Sequence, residues 1–362
     1  MKDAHQKEMI SRHFGARGWY TQIETPVFFE SSLEAKPKEI TDIDVLALRP
    51  GNDLRWELIL ADCKTRKGQS PVNRALWIKG LMDYYSATSG IIILGGSKNI
   101  EKDHKLFAAD LNITILHESE FDNYDRSIIY PDGSKDYPVS AEDITGLKNL
   151  GERYPKIVPL LNYIYCIAWN EANRIEYIRK VIGELKSTSK EIDPNNNDHI
   201  AAFYEACSIF SIGLAECTGI VFNQYLKPDT KKDLDEALRV IIWGGRSQYE
   251  FISKLRRELM TAKGVKPTEL TLPNWDIFIE LSRNLLENPR LAFSLPYLFQ
   301  RVSVDIQKGI DVLSFTGKNE LLLLKFAMLT SQYLCAAAQL PPDFCTESRG
   351  LFDQKQSGIV HE

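Results

Sequence analysis

The run Ile91-Ile92-Ile93-Leu94, set between Gly90 and the pair Gly95-Gly96, limits what this chain can fold into more than any other stretch. It is short, β-branched and unbroken by polar residues, which suits a central strand buried on both faces, and such a strand needs helices packed against it. The surrounding segments supply them. "AHQKEMISRHFGARG" carries Met9, Ile10 and Phe14 as a partial helical stripe that a glycine then ends. "WYTQIETPVFFE" predicts a strand with a break at Pro26, while "EITDIDVLALRPGND" and "LRWELILADCK" predict two strands joined as a hairpin. "SPVNRALWIKGLMDYYSATSG" predicts a helix capped by Ser70, with Pro71 at its first position, running on to Gly90. A short helix near "KDHKLFAADL" and a strand "NITILHE" follow. The order helix, three strands, helix, strand, helix, strand implies an α/β domain with a mixed sheet flanked by helices.

From about Asp122 the pattern changes. "DNYDRSIIYPDGSKDYPVS" is rich in turn formers, and after Ser140 almost every segment reads as helix. "HIAAFYEACSIFSIGLAECTGIVFNQYL" is apolar on nearly all sides, as a deeply buried central helix would be, and "DTKKDLDEALRVIIW" is amphipathic. With 362 residues and a size prior of roughly 100–200 residues per domain, two domains are expected. These are an α/β domain over 1–121, a connector over 122–139, an all-α domain over 140–341 serving regulation, oligomerisation or partner binding, and a polar tail over 342–362 expected to be partly disordered.

A formal net charge of -5 gives no global attraction to nucleic acid, which argues against a coating protein but leaves room for a local basic groove. The six cysteines, Cys63, Cys166, Cys207, Cys217, Cys335 and Cys345, contain no CxxC pair, so neither a zinc ribbon nor a disulfide framework is indicated. Reduced thiols and the absence of a signal-peptide core predict a cytoplasmic protein. The run Leu321 to Leu340 approaches membrane-spanning length, but Lys325, Ser331 and Gln332 interrupt it, and a buried core helix is the expectation.

The stretch "LILADCKTRKG" sets the chemical question. Asp62 and Lys64 point to one face of a strand end while Cys63 points to the other. "TDIDVLAL" puts Asp42 and Asp44 on one face of the preceding strand, and the hairpin brings that strand alongside. Acids converging from adjacent strands can hold a hard cation such as Mg²⁺, and a neighbouring lysine can position water or stabilise charge developing on phosphorus. Asp44, Asp62, the backbone carbonyl of Cys63 and Lys64 form such a set. The bland alternative is an ion pair at a strand end, which contributes little.

Together, "GARGWYTQIETPVFF", "TDIDVLAL", "LILADCKTRKG", "ALWIKGLMDYY" and "GIIILGG" resemble the PD-(D/E)XK nuclease superfamily, the fold of restriction endonucleases and of Holliday-junction resolvase and Mrr-like groups. The resemblance covers roughly residues 1–120. It implies a restriction endonuclease-like fold, with Asp44 as the first acid, Asp62-Cys63-Lys64 as the (D/E)XK element and Glu8 on the opening helix as a further metal ligand. It also implies Mg²⁺, or Mn²⁺ in its place, and cleavage of DNA, with RNA left open. Arg66, Lys67, Gln69 and Lys79 are the candidate substrate contacts. Ile43 stands where the name-giving proline would precede the first acid, and Asp62 stands where many members have glutamate; neither change removes a ligand. A helical appendage without a base-reading module implies gating by a protein partner, a second copy or a signal, as in effectors of bacterial defence systems. The alternative from a different class is a non-catalytic scaffold or nucleic-acid-binding subunit of nuclease fold.

Other features point to less. His5 and His13 on the first helix read as solvated surface histidines, and "WGGRSQ" lacks the spacing of a phosphate-binding loop.

Overall fold

The computed structural model describes residues 3–29, 37–65, 70–96, 100–126, 139–310, 318–344 and 346. The basic turn at 66–69, most of the expected connector and nearly all of the expected tail lie outside these residues. Contacts divide the chain into two compact units. The first comprises Met1–Gly51, Trp56–Leu150 and Tyr165–Asn170, and the second Asn52–Arg55, Gly151–Ile164 and Glu171–Glu362. The first unit thus continues to Leu150, past the boundary expected at 121.

In the first unit, helix α1 (Ala4–Gly15) leads into strands β1 (Tyr20–Phe29), β2 (Lys38–Pro50) and β3 (Trp56–Lys64). Helix α2 (Pro71–Tyr85), strand β4 (Ser89–Leu94), helix α3 (Lys102–Asp110) and strand β5 (Ile113–His117) follow. The five strands form one mixed sheet in the order β1-β2-β3-β4-β5. The first three pair antiparallel, and β3, β4 and β5 pair parallel through helical crossovers. Val45, Leu46, Ala47 and Leu48 are all buried in succession, as are Ile91 to Leu94, so both faces of the sheet are covered. The Ser70 hydroxyl accepts from the Asn73 N–H and Pro71 opens α2, which is the start read from the sequence.

Strand β1 runs unbroken through Pro26, contrary to the expected break. It is an edge strand, where the missing N–H of proline removes no ladder bond. The side chain of Asn170 takes the place of a further strand: its amide donates to the Pro26 carbonyl at 2.9 Å and accepts from the Phe28 N–H at 3.0 Å. Two short helices, α4 (Phe121–Asp125) and α5 (Ala141–Lys148), follow the sheet in the chain.

His13 is not a surface residue. It is 1% exposed, stacked on Tyr124 and bonded through Nδ1 to Asp125 at 3.0 Å. Burial lowers its pKa and outweighs the pull of Asp125. Its folded pKa therefore lies below the unfolded value of about 6.5, so proton uptake favours the unfolded chain. Its contribution to stability is fully present above that unfolded value and declines as pH falls from there toward the folded pKa. Urea midpoints from pH 8 to pH 5 should fall further for the wild type than for His13→Gln. Equal declines would remove His13 as the cause.

The second unit is helical. Its axis is the Asn197–Tyr225 helix, whose buried residues lie on every side, packed by the Glu176–Thr188 and Leu295–Lys308 helices. The Ser303 hydroxyl donates to the Ala201 carbonyl at 2.8 Å, so that buried hydroxyl is satisfied across the helix contact. Two helices are long and apolar enough to cross a membrane, Asn197–Tyr225 and Leu321–Ala338. Most of each apolar window is buried inside the protein, 83% and 56% respectively.

Candidate active site

The sheet places its charged residues where β2 and β3 part. Their pairing ends at Val45 with Ala61, and one step beyond, Asp44 faces Asp62. On the other side of β2, Ile23 pairs with Val45 and Thr25 with Ile43, so Glu24 stands opposite Asp44. Three acids thus form one row across β1, β2 and β3. Like charges directly opposite each other destabilise a sheet, and here a cation stands in each gap. Lys7 Nζ lies 2.8 Å from Glu24 Oε1 and 3.1 Å from Asp44 Oδ1. Lys64 Nζ lies 2.8 Å from Asp44 Oδ2 and 3.3 Å from Asp62 Oδ1. Arg74 closes the row with a two-pronged contact to Asp62, Nε donating to Oδ2 at 2.7 Å and the outer nitrogen to Oδ1.

Local structure explains how each group arrives. Because β2 leaves β3 here, the Cys63 N–H donates to Asp44 Oδ2 at 2.8 Å rather than to a strand carbonyl. A strand residue's N–H and C=O face the same neighbour, so the Cys63 carbonyl faces the same fork. Its thiol is fully buried, and burial, with Asp44 and Asp62 nearby, pushes its pKa well up. Asp3 accepts from the Thr65 N–H at 3.0 Å and from its hydroxyl, tying the start of α1 to the end of β3. Arg74 sits in the first turns of α2, its guanidinium 4.1 Å from the Trp77 ring centre. Glu24 adopts a left-handed backbone, φ 46°, unusual for a non-glycine residue in a strand. The carbonyls of Ile23 and Glu24 accept from Lys148 Nζ at 2.9 and 2.8 Å, which holds that distortion in place.

Burial makes these pairings strong. Asp62 is 0% exposed and Lys7 2%, whereas the side chains of Lys64 and Arg74 keep 20% and 17% of their surface. Burial raises the pKa of Asp62 despite Arg74 and Lys64. For Asp44, burial is opposed by the bonds from Lys64 and the Cys63 N–H, and the balance holds its carboxyl below the usual range. Burial alone would lower Lys64, but Asp62 and Asp44 outweigh it and raise its pKa. Lys64 therefore stays an ammonium at neutral pH, suited to stabilising negative charge and unsuited to taking up a proton.

Asp44, Asp62 and Lys64, picked out in the sequence, are brought together; Glu8 and Lys79 are not. Glu8 accepts from the Ala141 N–H and from Arg12, at the start of α5. Lys79 pairs with Asp83 one turn along its own helix, 2.7 Å away. Arg66, Lys67 and Gln69 lie outside the described residues. The sequence reading missed Lys7, Glu24 and Arg74. A signal for Lys7 existed: with Ile10 and Phe14 it forms the i, i+3, i+7 stripe of α1, and Glu8 falls off that stripe. Successive helical residues are about 100° apart, so Lys7 turns into the site and Glu8 turns away.

The donor set suits a hard cation: two carboxylates and a carbonyl, all oxygen. The Lys64 ammonium, bridging both carboxylates, is itself a cation standing between them. Among the described residues, no cluster of three or more His, Cys, Asp or Glu side chains converges, so a metal here would be held by Asp44, Asp62 and the Cys63 carbonyl, with solvent completing its shell. Compared with known proteins, the chain matches no family model, no curated protein and no solved structure.

Proposed function

We propose that the chain is a metal-dependent phosphodiester hydrolase, a nuclease of restriction endonuclease-like fold. The observation that carries this reading is the convergence of Asp44 and Asp62 on the Lys64 ammonium at the fork between two strands. The site also lies at the C-terminal end of the parallel strands β3 and β4, where open α/β sheets bind their ligands.

A bound Mg²⁺ would neutralise phosphate charge and lower the pKa of a bound water. The chain's own groups do the rest. Asp44 and Asp62 hold their carboxylates at the fork, the first fixed by Lys7 and the Cys63 N–H, the second by Arg74. Lys64, charged and partly open to solvent, donates to an oxygen of the scissile phosphate as negative charge builds there. DNA as substrate, internal cleavage, and gating through the helical unit rest on the resemblance carried by "TDIDVLAL" and "ADCK".

One observation favours the non-catalytic scaffold. Each carboxylate oxygen of Asp44 and Asp62 already receives a protein cation, as it would in a purely structural network. Supercoiled plasmid incubated with the protein and Mg²⁺, Mn²⁺ or EDTA, beside Lys64→Ala, separates the two readings. Metal-dependent nicking that the variant loses supports the nuclease. Nicking that persists in EDTA or in Lys64→Ala removes the proposed centre.

A further inference from the structure

The row of charges alternates in sign from end to end: Glu24, Lys7, Asp44, Lys64, Asp62, Arg74. Three acids meet three bases, and the sum is zero. A divalent ion entering this buried row would leave a net charge of two, which a poorly solvated site opposes. A phosphodiester brings the missing negative charge. We infer that Lys7 and Arg74 act as counter-cations that hold the metal off until nucleic acid arrives, so that metal and phosphate load together.

This inference rests on the nuclease reading for the identity of the phosphate, but its core is a charge balance that can be measured without cleavage. Arg74 is the more telling member. It covers both oxygens of Asp62 and is anchored over Trp77 on α2, the helix that follows β3 in the chain. Glu24 marks the other end; Lys7 separates it from Asp44, so its charge acts on the metal only at a distance. Lys7 and Arg74 are positioning residues. They set the orientation and availability of Asp44 and Asp62 and need not touch the substrate.

The test is Mn²⁺ binding to the full chain without nucleic acid, followed by electron paramagnetic resonance of the free ion. Wild type is compared with Arg74→Gln, Lys7→Gln and Glu24→Gln, with circular dichroism and thermal melting as folding controls. Removing a neighbouring unit charge moves a carboxylate's proton affinity by about tenfold or more, and a divalent ion feels at least as much. Arg74→Gln and Lys7→Gln should bind Mn²⁺ at least about tenfold more tightly than wild type, and Glu24→Gln should bind it more weakly. Added Mn²⁺ should correspondingly raise the melting temperature of Arg74→Gln more than that of the wild type.

A purely structural role would weaken binding in all three variants, and that result would overturn the inference. So would an Arg74→Gln protein that folds and binds no more tightly than wild type. If Lys7→Gln does not fold, Arg74→Gln and Glu24→Gln still give the opposed signs that decide it. Opposed shifts in a protein that never cuts plasmid would retain the charge balance and reject the nuclease. Plasmid cutting without opposed shifts would do the reverse.

Discussion

Lys64→Ala is expected to slow metal-dependent cleavage of supercoiled plasmid by about 10²–10³-fold, the usual loss when one preorganised donor to a developing charge is removed. Asp62→Asn should cost at least as much, because it removes charge from the donor pair itself. The two variants should differ in stability. Lys64 keeps 20% of its side-chain surface and bridges Asp44 and Asp62, so its loss leaves Asp44 supported by Lys7 and the Cys63 N–H. Asp62 is fully buried against Arg74, and removing its charge leaves a guanidinium without its counterion, a class of change that costs about 3–5 kcal/mol. Lys64→Ala should therefore be a folded, inactive protein. If the folded Lys64→Ala protein cuts within a few-fold of wild type, Lys64 has no part in the reaction.

The sequence carried the centre of this site because strand geometry is local. Residues two apart share a face, so Asp62 and Lys64 could be paired on paper, and the hairpin turn near Pro50 set which residue of β2 would oppose them. What it could not carry were neighbours supplied by packing. Glu24 reaches the row only because β1 pairs with β2 in one register, Ile23 with Val45 and Thr25 with Ile43, and a pairing between strands is not written in the pattern of either strand alone. Arg74 arrives because α2, which starts at Pro71 after β3 ends at Lys64, docks with its first turn against Asp62, a consequence of helix packing that periodicity does not encode. Lys7 was within reach of pattern reading. Its position on the Ile10 and Phe14 stripe outweighed the chemical expectation that an acid, Glu8, should face the site.

The helical unit was legible at the level of element type and burial, since "HIAAFYEACSIFSIGLAECTGIVFNQYL" is apolar on every side and forms the buried Asn197–Tyr225 helix. How its helices approach one another was not legible, and Gly213 shows why. Within a helix an isolated glycine is read as a weak spot costing about 1 kcal/mol against alanine. In the structure a Cβ at this position would lie 2.7 Å from the Arg174 carbonyl oxygen, 3.1 Å from Ile178 Cγ1 and 3.3 Å from the Ile178 nitrogen. The first of these is backbone, which cannot swing aside as a side chain tip can.

Gly213→Ala therefore sets two effects against each other. The helix gains about 1 kcal/mol of propensity, and the contact with the segment leading into the Glu176–Thr188 helix is forced apart, an overpacking cost of about 1–3 kcal/mol. The steric term should win, because the 2.7 Å approach lies inside van der Waals contact and the neighbour is main chain. A modest net loss is expected for alanine. Gly213→Val adds two methyl groups at the same point and a poorer helix former, so it should lose more than about 3 kcal/mol, read as a lower urea midpoint at unchanged slope. An alanine variant more stable than wild type would mean that the two segments do not approach this closely, and the glycine would then be only the weak spot that its sequence suggests.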